Sequence, residues 1–179
     1  MGKSVSRNSA FSMINKGLSV VFPLVTVSYI SRVLGAAGIG EVSSAQNLAT
    51  YFSMAAALGI PSYGVRAIAQ SKRDENSCNK TFSELFTINL ISSIIATVVY
   101  LITAFCFKIN NSNTALALIF SSIIVFNVIN IEWVYQGYEE YEYIMLRSLV
   151  IKIVSILLLF IFVRKKSDLV AYAFIICFG

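Results

Sequence analysis

Ser9-Ala10-Phe11-Ser12-Met13-Ile14-Asn15-Lys16-Gly17-Leu18-Ser19-Val20-Val21-Phe22-Pro23-Leu24-Val25-Thr26-Val27-Ser28-Tyr29-Ile30-Ser31-Arg32 is long enough to cross a bilayer, and Lys16 is the charge inside it. About 20 predominantly apolar residues make one transmembrane helix, so this stretch sets the class of the chain. A charge inside such a helix costs about 2.5–3.5 kcal/mol on insertion scales unless it reaches the interface, pairs, or faces water. At about 100° per residue, Ser12, Lys16, Ser19, Pro23 and Thr26 fall on one side and Ile14, Leu18, Val21, Phe22 and Val25 on the other. The predicted span, about Ala10 to Ser31, is amphipathic within the bilayer. Pro23 predicts a kink near its middle, where neighbours and water satisfy the freed carbonyl.

The whole chain fits that reading. Its 179 residues are 57% hydrophobic and only 13% charged, with a mean hydropathy of +0.76, which leaves too little polar surface to cover a soluble globule. Apolar runs predict spans at about 10–31, 42–63, 85–107, 114–134 and 146–163, and the start of a sixth at 169–179 that has about half the length a bilayer requires. The expected fold is an all-α polytopic membrane helical bundle, with five complete transmembrane helices plus the start of a sixth.

Several functions are excluded early. There is no histidine, so His-dependent triads and His-ligated metals are out. Cys78, Cys106 and Cys177 lack the spacing of a disulfide framework or thiolate site. No catalytic residue, metal or cofactor is expected. The net charge of +5 comes from basic residues placed singly or beside spans, where they hold topology rather than nucleic acid. Lys3 and Arg7 before an apolar run also fit a signal peptide, with Gly35-Ala36-Ala37 as its cleavage region. Lys16 and the four further spans argue against its removal.

Arg32 to Glu41 carries Gly35, Gly38 and Gly40. No strand precedes these glycines, so a tight extracytoplasmic turn is expected rather than a phosphate loop. In the second span Ser43, Gln46, Asn47, Thr50, Ser53 and Ala57 crowd one face, opposite Ala45, Leu48, Phe52, Ala55 and Ala56. Such a face either packs against other helices or lines a watery lumen, and two consecutive striped spans favour the lumen. Residues 64–80 are polar and predict a cytoplasmic loop. The third span has no charge and no stripe, so it is expected to face lipid or to pack. The fourth ends in Asn127, Asn130, Glu132, Trp133 and Tyr135. Its aromatics mark an interface, and Glu132 sits at headgroup depth or is an intramembrane acid paired with a base. Lys152 of the fifth span is expected to snorkel to the interface.

With the amino terminus in the cytoplasm, Lys3, Arg7, Arg66, Lys72, Arg73, Lys80 and Arg147 lie inside, as the positive-inside rule asks. Arg32, Lys108 and the Arg164-Lys165-Lys166 cluster lie outside, and the cluster runs against the rule.

Four features taken together carry a resemblance. These are the basic amino terminus leading into a polar-striped span; Arg32-x-Leu34-Gly35-x-x-Gly38-x-Gly40; Gly64-x-Arg66-x-Ile68-Ala69; and Glu132-Trp133-x-x-Gln136-Gly137-x-Glu139-x-Tyr141 running on to Arg147-Ser148. The chain resembles the amino-terminal half of a bacterial polysaccharide flippase, an O-antigen or oligosaccharide-repeat-unit transporter of the multidrug, oligosaccharidyl-lipid and polysaccharide exporter superfamily. The resemblance covers almost the entire chain and implies that residues 1–179 form the amino-terminal bundle of a two-lobed exporter with twelve or more helices and a central cavity. It implies an undecaprenyl-pyrophosphate-linked oligosaccharide as substrate, destined for O-antigen lipopolysaccharide or capsule in the inner membrane. The bilayer, a glycan polymerase and chain-length machinery would be its partners. A pyrophosphate leaving water needs cationic partners. Lys16, and Arg32 near the outer mouth, then stand for the cationic path, and Ser12, Ser19, Gln46, Asn47 and Thr50 for its polar lining.

The second lobe is missing from that pattern. A fragment, an inactive truncated product, or an association of two copies would each account for it. Other functions remain open. A cation-coupled multidrug exporter would be expected to bury an acid in the first span, which here has none. A non-transporting membrane scaffold would use the polar stripes for packing. A glycan polymerase is disfavoured by the lack of a large extracytoplasmic loop.

Overall fold

The computed structural model describes residues 5–106 and 114–178. The predicted turn at Lys108–Asn113 and the position of Lys3 lie outside them. Among the described residues the regular structure is entirely helical: α1 (Val5–Ala57), α2 (Ile60–Ser71), α3 (Glu75–Cys106), α4 (Thr114–Ile129), α5 (Glu132–Gly137), α6 (Tyr141–Phe162) and α7 (Leu169–Phe178). Four helical stretches are long and apolar enough to cross a membrane: Asn8–Ser71, Glu75–Cys106, Thr114–Gly137 and Tyr141–Phe162. The chain is an all-α polytopic membrane bundle.

Within α1, backbone helicity breaks at Gly35 (φ 72°, ψ 173°), not at Pro23. That φ is open to glycine and strained for other residues. Thr26 from the arm before it and Gln46 from the arm after it line one cavity, although a straight helix would hold them about 30 Å apart. The chain therefore folds back at Gly35, and the predicted turn shrinks to a single non-helical residue. Gly38 completes the bend, since a Cβ there would lie 3.1 Å from the Leu169 side chain and 3.2 Å from Leu34 Cβ.

The inner faces of the two arms carry Ile30, Leu34, Val42, Ala45 and Ala49. They pack with Tyr100 of α3, Phe120 and Ile124 of α4, Leu159 of α6 and Ala173 of α7 into the main core. Small residues on the second arm let α3 and α4 approach closely, and polar groups tie them there. Ser92 Oγ donates to the Ala56 carbonyl (2.6 Å), and Asn127 Nδ2 donates to the Ser53 carbonyl (3.0 Å). In α3, Asn89 and Ser93 are buried while Ile91, Ile94, Ile95 and Ile102 are exposed. Such a pattern is the reverse of a soluble helix and suits one whose outside is lipid.

The polar stretch 64–80 is mostly helix, contrary to the expected loop. Leu58 (φ 47°) and Gly59 (φ 75°) end α1 in left-handed conformations, and Pro61 opens α2, where its missing N–H costs nothing. The buried residues Ile60, Gly64 and Ile68 recur every four positions along α2, a helical stripe that its charges mask. That stripe meets α5. A Cβ at Gly64 would strike the Trp133 indole, and one at Gly137 would lie 2.7 Å from Ile68 Cγ2. Trp133 stacks on Phe82 of α3 (5.9 Å between centroids), which completes a second small core.

Candidate substrate path

The first arm of α1 lies against α6. Tyr29 donates its hydroxyl to the Val163 carbonyl (2.9 Å) and meets the Phe160 ring edge-on. About three helical turns away, Lys152 of α6 reaches across and donates from Nζ to Ser19 Oγ (2.9 Å). The sequence expectation for Lys152 is snorkelling to the interface; the structure adds this contact with the first arm. The hydroxyl of Ser19 itself donates to the Asn15 carbonyl (3.0 Å), which leaves its lone pairs for the ammonium.

Lys16 lies one turn before Ser19 and is exposed; Ser12 is half-buried and Thr26 buried. Arg32 is also exposed, but it stands about 24 Å along the arm from Lys16, so one small ligand cannot bridge them. On the second arm Asn47 and Thr50 are exposed and Gln46 is half-buried; the Thr50 hydroxyl donates back to the Gln46 carbonyl (2.8 Å). The two stripes come together at a cavity of about 200 Å³ lined by Phe22, Thr26, Gln46, Ser155, Leu159 and Tyr172. The packing face of the second arm is its alanine side, with Ala45, Ala49 and Ala56 buried.

Glu132 belongs to a different place. Helicity lapses at Asn130 and Ile131, and Glu132 opens α5 beyond the gap. Arg147 of α6 donates to its Oε2 (2.9 Å) and Gln136 Nε2 to its Oε1 (3.2 Å). Asn89, Asn127 and Asn130 join Glu132, Trp133 and Gln136 around a cavity of about 180 Å³. Nearby, Lys72 pairs with Glu139 (3.1 Å), and the Tyr138 hydroxyl lies 3.0 Å from Cys78 Sγ, a hydrogen bond that raises the Tyr138 pKa.

The turn that carries the basic cluster after α6 is closed by Asp168. Asp168 Oδ2 accepts from the Arg164 amide (3.0 Å) and the Lys165 amide (2.8 Å). These backbone hydrogen bonds hold its carboxyl below the usual range.

The structure thus brings Ser12, Lys16 and Ser19 onto one arm beside Lys152, and Gln46 into a cavity with Thr26, whereas Arg32 and Glu132 stand apart. Ser155 and Tyr172 were missed in the sequence, and Lys152 was read without its Ser19 partner, because their partners are distant in the chain and no local period points at them. Among the described residues no group of three or more His, Cys, Asp or Glu is placed to hold a metal.

Comparison with known proteins adds to this geometry. The family described as polysaccharide biosynthesis protein matches residues 5–179. A protein of Escherichia coli (strain K12) named "Putative O-antigen transporter" is 26% identical over 174 residues, which cover 96% of this chain and 41% of that protein. A protein of the same name from Shigella dysenteriae is 23% identical over 171 residues, 95% of this chain and 42% of its own. The chain therefore spans about two-fifths of the length of these curated relatives. No solved structure matches it.

Proposed function

Because the chain belongs to the polysaccharide biosynthesis protein family, we propose that it serves in flipping undecaprenyl-pyrophosphate-linked oligosaccharide repeat units across the bacterial inner membrane for surface polysaccharide. The O-antigen transporter name of its relatives supports transport rather than catalysis. In this reading the amino terminus is cytoplasmic, and the chain supplies one wall of a path whose other wall is a second lobe or a second copy.

One observation carries the assignment. The polar stripe of the first arm is not wholly consumed by packing: Lys16 is exposed, and Ser19 accepts from a second cation, Lys152. A pyrophosphate moving through a membrane needs cations that are available rather than already neutralised. Lys16 and Lys152 supply them at mid-path, Arg32 supplies one nearer the outer mouth, and Ser12, Ser19, Gln46, Asn47 and Thr50 offer hydroxyls and amides to sugar. In the first arm the span 10–31 has no carboxylate, which suits an anionic cargo better than a cationic drug.

The test is reconstitution of the intact protein in liposomes that carry a polyprenyl-pyrophosphate oligosaccharide on one leaflet, with glycosidase added outside. The expected outcome is protein-dependent exposure of the sugar to the enzyme. If protein-containing and empty liposomes protect the sugar equally, the flippase assignment is wrong.

A further inference from the structure

The hairpin of α2 and α3 encloses a groove of about 440 Å³ that lies off the candidate substrate path. Tyr63 and Gln70 line it from α2, and Ser77, Thr81, Glu84 and Ile88 from α3. Its polarity is graded. Gln70 and Ser77 stand nearest the turn at 72–74 that joins the two helices, whereas Tyr63 and Ile88 stand toward the apolar part of α3. Beyond the groove, Ile91 and Ile95 continue the face of Glu84 and Ile88 at helical spacing, and all three isoleucines are exposed. Glu84 is the charge in the lining, which holds no lysine or arginine; Lys80, one turn earlier on α3, is outside it. Glu84 is exposed and belongs to neither ion pair seen among the described residues, Lys72–Glu139 and Arg147–Glu132.

We propose that this groove binds a phospholipid with a primary-amine headgroup, its ammonium held by Glu84, Thr81 and Ser77 and an acyl chain laid along Ile88, Ile91 and Ile95. The site needs only the membrane bundle and goes beyond the transport reading. An ammonium brings three N–H donors and no acceptor, and one side of α3 answers with a carboxylate and two hydroxyl oxygens. A helical side chain leans over the turn N-terminal to it, so the Glu84 carboxylate comes level with Thr81 and the ammonium lies on the hairpin-turn side of the phosphate. The Tyr63 hydroxyl, opposite on α2, donates to that phosphate. Ammonium, phosphate and chain thus meet polar, mixed and apolar lining in the order in which the lipid carries them. Charge fixes the headgroup: a carboxylate with no base beside it in the lining repels a net anionic head, and a quaternary amine has no N–H to give the oxygens. A soluble cation would satisfy Glu84 but would leave the isoleucine face unused.

The decisive experiment offers the intact, delipidated protein in detergent equal amounts of dioleoyl phosphatidylethanolamine, phosphatidylcholine and phosphatidylglycerol, or an oligolysine peptide, and reads what stays bound by native mass spectrometry. Glu84→Gln and, as a control outside the groove, Glu75→Gln are read beside it, each checked for parental melting. The parent is expected to retain phosphatidylethanolamine over phosphatidylcholine about tenfold, the equivalent of 1.4 kcal/mol. Glu75→Gln is expected to keep that preference and Glu84→Gln to lose it. Should Glu84→Gln melt early, Ser77→Ala with Thr81→Ala takes its place and is expected to weaken the preference severalfold. No preference in the parent, an unchanged preference in the groove variants, or an equal loss in Glu75→Gln would overturn the proposal. Phosphatidylglycerol retained above phosphatidylethanolamine would make this an anionic-lipid surface, and oligolysine retained through Glu84 in place of lipid would make it a protein-docking groove; either result overturns the proposal and leaves the flippase reading untouched.

Discussion

The α2–α5 clasp and the polar face of the first arm both drew notice as sequence, yet they do opposite things. In the clasp Gly64, Ile68, Trp133 and Gly137 are taken up by packing. Gly64 exists to admit Trp133 and Gly137 to admit Ile68, while the indole rests on Phe82. On the first arm Lys16 and Arg32 stay exposed, and the interhelical polar contact found on the stripe joins a serine to another lysine. A residue kept against its local cost for no gain in packing is a candidate for function, and a glycine under an indole is already explained by structure. The contrast sorts the motifs: those at Gly64 and Glu132 hold the bundle together, and those around Lys16 and Asn47 stay exposed, as the proposed function requires.

The comparison can be broken by substitution. Trp133→Ala empties the small core and is expected to cost about 3–5 kcal/mol, read as a fall in melting temperature of the detergent-solubilised protein; an unchanged melt would remove the clasp as a structural element. Gly64→Ala drives a methyl into the indole and is expected to cost about 1–3 kcal/mol through overpacking, by the same assay. Asn47→Ala with Thr50→Ala, both exposed, is expected to leave stability within about 0.5 kcal/mol while lowering surface polysaccharide. A fall in stability comparable to Gly64→Ala would show the stripe to be a packing surface, as a scaffold protein would have it. The smallest effect is at Asp168. Its carboxyl is held below the usual range by the Arg164 and Lys165 amides, so the turn it ties is intact above that range and loosens only as pH falls through the lowered value. A carbon-13 titration of this carboxyl with a midpoint at or above an ordinary aspartate would contradict the turn geometry.

Apolar period and length made the spanning helices legible. The glycines of 35–40 announced a reversal, though not that Gly35 alone would make it. What escaped the sequence was of two kinds. Charges at Arg66, Lys72, Arg73, Asp74 and Glu75 made residues 64–80 look like loop, because the four-residue stripe Ile60, Gly64, Ile68 includes a glycine and counts as apolar only when its indole partner is known. The contacts of Lys152 with Ser19 and Arg147 with Glu132 join distant parts of the chain, and no local pattern encodes them. For Glu132 the sequence left headgroup depth and pairing with a base open, and the structure supplies Arg147 as the base. The bounds of the polar stripes were legible, but not that the alanine face of the second arm would take the packing and leave Asn47 and Thr50 outside.

The claim that the first arm offers an available cation rather than a buried structural one is tested most directly at Lys16. Lys16→Ala and Lys16→Arg in the intact protein, compared at matched protein levels for surface polysaccharide, give the answer. The account predicts that Lys16→Ala loses most of the polysaccharide while Lys16→Arg, which keeps the charge, retains much of it, with both proteins melting as the parent does. Full polysaccharide in Lys16→Ala would contradict it.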